Sequence, residues 1–283
     1  MIGGGVLALL ASAFLGVSDF LGGVISRRTA LITVLLLSQV VATVAILPRM
    51  LWESPLDNAG PALFWGVVGG VATAIAVSSL FKALAIGTMG VVAPITSLSV
   101  LVPVIVGLVG GDKLGWVLGI GLVVAIVGTV LASGPEIRTR AAGHGPKPII
   151  LAVVAAVGFG VANLSVALGS GFNVTTTLVS NSLTVLVIYA FGALLLRELP
   201  RARGRALLGI VAIGILGFAA NLCFALASTV APLTVVAVLA SLYPVITVLL
   251  GWRVLGEHLQ RVQVVGVIAV FLGVAAIAAS TAG

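Results

Sequence analysis

Ser99-Val100-Leu101-Val102-Pro103-Val104-Ile105, running on to Gly110-Gly111-Asp112-Lys113-Leu114, is written a second time as Ser241-Leu242-Tyr243-Pro244-Val245-Ile246, running on to Gly251 and then Gly256-Glu257-His258-Leu259. In both copies an apolar segment with a central proline is closed by an acidic residue. A last apolar segment follows each, with glycines seven apart: Gly121 and Gly128 in the first copy, Gly266 and Gly273 in the second. The second half of the chain therefore rewrites the first.

The solvent for this chain is a bilayer. Of its 283 residues 61% are hydrophobic and 7% charged, where soluble domains carry about 25% charged residues. A mean hydropathy of +1.35 leaves too few polar side chains to cover a water-facing surface. The net charge of +7 does not point to nucleic acid, because no basic run is interleaved with aromatics and the charges fall between apolar segments. Cys223 stands alone within an apolar segment, which excludes an internal disulfide and a cysteine metal site and leaves a small packing side chain. Ala11-Ser12-Ala13 has the look of a signal-peptidase site, yet no Lys or Arg precedes it and the apolar run continues to Ile25; a retained first span is expected.

Runs of about 20 apolar residues predict ten spans, at 5–26, 31–51, 62–84, 89–110, 114–133, 149–169, 174–196, 205–227, 232–252 and 262–281. Segments this long in lipid must be helices, since every backbone group needs a partner within the segment. The predicted fold is an all-α integral membrane protein of ten transmembrane helices. The glycine- and proline-rich stretch 135–148 divides it into a first unit, 1–134, and a second, 149–283.

Charge sets the orientation. Taken by alternate sides, Arg27, Arg28, Lys82, Arg138, Arg140, Lys147, Arg197, Arg201, Arg203, Arg205, Arg253 and Arg261 fall together, against Arg49 and Lys113 alone. The positive-inside rule makes the rich side, linker included, cytoplasmic and puts both termini outside. Five is odd, so the second unit enters the membrane in the opposite sense: the halves form an inverted repeat, the geometry of alternating access.

Aligning the halves sets Asp19 against Asn163 on spans 1 and 6, Ser38-Gln39 against Ser180-Asn181 on spans 2 and 7, and Ser78-Ser79 against Ala220-Asn221 on spans 3 and 8. Asp19 is the only carboxylate well inside a predicted span. Such a group must face a cavity, pair, or carry a proton; it is read as a substrate-binding or proton-coupling site, against a plain role in knitting helices. Gln39 and Asn181 can bind a substrate or glue helices equally well. The hydroxyls of Ser78 and Ser79 are favoured to bond back to their own helix, and Asn221 is harder to dismiss because an amide has four bonding sites to satisfy; all three, about two-thirds along their spans and near the cytoplasmic half, are candidates to line a pocket. Lys82 reads as an interfacial anchor. Span 9 offers Tyr243 as a further cavity residue. Pro94 and Pro103 in span 4, with Pro232 and Pro244 in span 9, are hinge candidates, because proline removes a backbone bond and frees a carbonyl. The spacings Gly66–Gly70, Gly107–Gly111 and Gly115–Gly119 predict close helix packing, within the chain rather than at a homodimer face.

The tandem pattern, Ala83-Leu84-Ala85 with Pro103 in one half and Ala225-Leu226-Ala227 with Tyr243-Pro244 and Gly256-Glu257 in the other, resembles the EamA-type carriers of the drug/metabolite transporter superfamily. The resemblance spans the whole chain, and the first copy departs from it in carrying Asp112-Lys113 where glutamate is usual. It implies a secondary carrier of small metabolites such as amino acids, more often an exporter, in the plasma (inner) membrane. It also implies a cavity lined mainly by the third, fourth, eighth and ninth helices, with help from the first and sixth. A multidrug or organic-cation carrier is the rival within transport, with Asp19 in place of such carriers' first-helix glutamate; an aromatic content of 6% argues for smaller or more polar cargo. A membrane-embedded enzyme would need buried catalytic groups, a phosphate loop or a metal cluster; the chain offers none of these motifs, and His144 and His258 fall in loops. A non-transporting partner subunit is the remaining class. The partners expected are a small-molecule substrate and lipid, with no cofactor, metal or nucleic acid, for a monomer or homodimer.

Overall fold

A computed structural model describes residues 2–50, 59–86, 92, 95–96, 98–111, 115–132, 146–198, 201–255 and 261–282. Pro94, Asp112, Lys113, Arg138, Arg140, Gly256, Glu257, His258 and the linker up to residue 145 lie outside the described residues.

Among the described residues the structure is helical throughout. Helices α1 (Ile2–Ser26), α2 (Leu31–Met50) and α3 (Ala59–Ile86) match the first three predicted spans to within a few residues. A short 3₁₀ turn at Leu98–Val100 leads into α4 (Leu101–Val109), followed by α5 (Trp116–Ala132). The second half supplies α6 (Lys147–Ser170), α7 (Val174–Leu196), α8 (Arg205–Val230), α9 (Leu233–Ala240), α10 (Tyr243–Leu255) and α11 (Arg261–Ala282). Among the described residues seven stretches, the last of them Leu233–Val254 across α9 and α10, are long and apolar enough to cross a membrane; Leu98–Val109, Gly119–Leu131 and Arg261–Gly273 are shorter apolar helices. Large apolar side chains such as Phe64, Leu194 and Phe271 lie exposed on the outside, as a lipid-facing surface requires.

Local chemistry sets several ends. The Asn173 side chain caps α7 by accepting from the Thr176 amide at 2.8 Å. At the other end Arg197 takes a left-handed conformation (φ 51°), and the Glu198 amide reaches back to the Ala193 carbonyl.

Span 9 is not continuous: α9 ends at Ala240 and α10 starts at Tyr243, across a turn at Ser241 and Leu242. Pro244 explains the break, since it has no N–H to bond the Ala240 carbonyl four residues back. Pro244 therefore marks where a second helical segment begins, and Pro103 lies in the first turn of α4, just past the 3₁₀ turn. Pro232 is the N-cap of α9, where its fixed φ suits a helix start.

The longest helix contacts run between the halves. Antiparallel α3 packs on α6, and antiparallel α1 on α8; α2 packs on both α7 and α8, α3 also on α7, α4 on α9, and α5 on α11. Small residues permit the approach. A side chain added at Gly66 would collide with Ser180, and one at Gly70 would lie 2.6 Å from the Thr184 Cβ, so this glycine pair is an internal α3–α7 contact. Gly111, Gly115 and Gly119 face open space instead, and the expectation of internal packing fails there. In α5–α11 the contact is reciprocal: Gly128 lies against Ala269 and Val270, and Gly273 against Gly121 and Ala125.

Two apolar clusters form the core. One gathers Ala8, Ala11, Phe224, Ala227 and Val235–Leu239 around the start of α1 and the end of α8, with Cys223 packed against it. The other gathers Val34, Leu80, Phe81, Leu84, Ile210 and Ile213 around the start of α8 and the end of α3. Polar side chains concentrate between them.

Candidate functional site

The space between the clusters is a cavity of about 130 Å³. Asp19 enters its wall from α1, Gln39 from α2, Thr73 from α3, Asn163 from α6, Asn181 from α7 and Asn221 from α8. Aligned positions of the two halves meet here: Asp19 with Asn163, Gln39 with Asn181, and Leu15 with Phe159.

Two of these side chains each leave one buried atom without a partner. Asp19 and Asn181 are each 7% exposed, and the Asp19 Oδ2 acceptor and the Asn181 Nδ2 donor are both buried without a partner. Leaving one such group unsatisfied costs about 1–3 kcal/mol, and more if it is charged. Gly69 lets the Asn181 amide sit this close, since a Cβ there would lie 3.0 Å from Nδ2. An orphan acceptor and an orphan donor in one cavity suit a ligand that presents the complementary groups.

Gln39 is engaged differently. Its Nε2 donates to the Ser182 carbonyl at 3.1 Å and to the Ser182 hydroxyl at 2.8 Å, and Thr43 joins the same hydroxyl at 2.9 Å. Its amide nitrogen clasps α2 to α7.

Ser78 and Ser79 do not line this cavity. Thr73, Val77 and Phe81 of the same helix do line it, as does Asn221, and Ser78 lies just behind the wall, its side chain hydrogen-bonded to that of Tyr189. Tyr243 lines a second cavity of about 40 Å³ beside the first, with Ser99, Pro103 and Ser241; Asn163 and Asn221 belong to both. Its hydroxyl donates to the Thr96 carbonyl at 3.5 Å. Helices α2 and α7 therefore line the main cavity where the family resemblance implied the fourth and ninth, which border the smaller one.

Sequence reasoning passed over the aromatic wall. Phe81, Phe159, Tyr189 and Phe218 all face the main cavity, and the Tyr189 hydroxyl donates to the Ala74 carbonyl at 3.3 Å. The signal was there for Tyr189, because a phenol inside a lipid span needs a polar partner. For the phenylalanines there was none. Among the described residues no group of three His, Cys, Asp or Glu could hold a metal ion.

A match to the EamA-like transporter family covers residues 2–134 and, a second time, 146–279. The chain belongs to the EamA-like transporter family. As in that match, its two tandem segments supply the two walls of the cavity. A solved structure known only as a crystal structure of a protein shares the fold of this EamA-like chain: the TM-score is 0.73 at 18% identity, over 96% of this chain and 94% of that one. Curated proteins give no match.

Proposed function

We propose that this member of the EamA-like family is a secondary active transporter that exports small metabolites such as amino acids by alternating access, coupled to protons through Asp19. Its two five-helix repeats, 1–134 and 149–283, are inverted about the central cavity and joined by a cytoplasmic linker at 135–148. It lies in the plasma membrane with both termini outside. The observation that carries the reading is the pair of unpartnered groups, Asp19 Oδ2 and Asn181 Nδ2, on opposite halves of one cavity. The reciprocal packing of α1–α8 with α3–α6, and of α5 with α11, supports the inverted arrangement. Apolar clusters at both ends of the cavity supply closures on either side.

A second reading, efflux of organic cations, is favoured by the wall itself. Among the described residues it carries one carboxylate, no Lys, Arg or His, and four aromatic rings that can face a cation. The low aromatic count of the chain argued the other way, but a third of its twelve Phe and Tyr residues border this one cavity.

Purified protein in liposomes tests both. Counterflow of labelled amino acids or of small aromatic amines, with preference for one set, is the expected result and selects between the readings. Absence of counterflow for either set contradicts transport of these classes.

A further inference from the structure

Beyond the central cavity, a second concave site opens at the end of the molecule where α2 and α8 begin, between the α1–α2 and α7–α8 connections. Arg28, Arg201 and Arg203 line it together with Thr29, Thr33 and Glu198, around about 430 Å³ of space. Among the described residues no ion pair joins Glu198 to these arginines, so three guanidinium groups point positive charge at a space with one carboxylate.

All three arginines are exposed at the surface. Arg197 in its left-handed conformation and Gly204 (φ 58°) stand at the two ends of the α7–α8 connection. Ala202 packs against the apolar cluster of Val34, Leu80 and Ile210, which leaves its neighbours Arg201 and Arg203 in the site wall. Ala206 places the first turn of α8 there as well, and no side chain caps that helix. Its free N–H groups and positive dipole end add to the guanidinium field.

We propose that this site binds a phosphate-bearing anion, either the headgroup of an anionic phospholipid of the same leaflet or a soluble phosphate ester. Arginine forks suit phosphate oxygens in pairs, and the charge bias of the chain assigns this end to the cytoplasmic leaflet, whose surface is anionic. The site draws one wall from each half, Arg28 from the first and Arg201 with Arg203 from the second. An anion bound across them ties the halves together at this end and stabilises the conformation closed there.

The test is thermal stability of the purified full chain in detergent, titrated with short-chain phosphatidylglycerol, short-chain phosphatidylcholine or inorganic pyrophosphate. Phosphatidylglycerol raises the melting temperature and phosphatidylcholine does not. Loss of Arg28, Arg201 and Arg203 together to Gln weakens the apparent affinity by about a hundredfold. The same charge removed elsewhere on that side, by Lys147→Gln, Arg253→Gln and Arg261→Gln, leaves it within about threefold. Glu198→Gln tightens binding by about two- to fivefold, a gain that stands even if the triple arginine variant fails to fold. A response to pyrophosphate equal to that of phosphatidylglycerol assigns the site to soluble phosphate esters; a response to the lipid alone assigns it to the headgroup. No response to either anion, or equal losses in the two triple variants, overturns the proposal.

Discussion

The α5–α11 pair and the α1–α6 pair are each made of aligned stretches from the two halves, and they have gone opposite ways. In α5–α11 the aligned glycines Gly128 and Gly273 make matching contacts, each fitting against the turn that carries its counterpart's neighbours. In α1–α6 the aligned residues Asp19 and Asn163 face one cavity with different chemistry, and Asp19 keeps an oxygen unpartnered. Where the halves stay alike they pack; where they differ they meet the cavity. In lipid there is no hydrophobic gain from bringing two apolar helices together, so close packing must come from small residues. A buried carboxylate is costly there and is tolerated where something polar can reach it.

That contrast can be broken by substitution. The largest effect is expected at Asp19: Asp19→Asn makes the two halves chemically alike, and flux driven by a pH gradient across liposomes falls to the level of protein-free vesicles, while exchange at equal pH on both sides persists. Next comes Gly128→Leu, which forces a side chain into the backbone of α11 near Val270; overpacking of about 1–3 kcal/mol lowers the melting temperature without changing affinity for a cavity ligand. Asn181→Leu acts in the reverse sense. Removing an orphan donor leaves the melting temperature unchanged or raised, while affinity for a cavity ligand falls about tenfold or more. At the bottom of the scale, Gly119→Ala meets open space and shifts stability by less than about 1 kcal/mol, in the stabilising direction. Thermal unfolding beside ligand titration separates these three, and a common fall in both quantities for Gly128→Leu and Asn181→Leu erases the distinction between packing and cavity.

Much of the fold was legible in the chain. Apolar runs located α1, α2, α3 and α5 to α8 closely, because lipid forces long helices and keeps charged residues mostly at their ends. The break between α9 and α10 was less legible: Pro244 announced a lost hydrogen bond, but whether a helix bends or restarts depends on what packs around it. Thr247 settles part of that, its hydroxyl donating to the Gly16 carbonyl at 3.1 Å and fixing α10 on α1. Repeat alignment paired Asp19 with Asn163 and Gln39 with Asn181, and all four border one cavity. Ser78 and Ser79 fall outside that lining, with Ser78 just behind Tyr189. Phe81, Phe159 and Phe218 carried no mark distinguishing a cavity wall from a lipid-facing surface, since both are apolar.

Alternating access between the halves is tested most directly at Asn163, which borders both cavities. In a Cys223→Ser background, Asn163→Cys is treated with a membrane-impermeant maleimide in right-side-out and in inside-out vesicles. The account predicts modification from each side, as the cavity opens first to one and then to the other. Modification in one preparation and none in the other contradicts it.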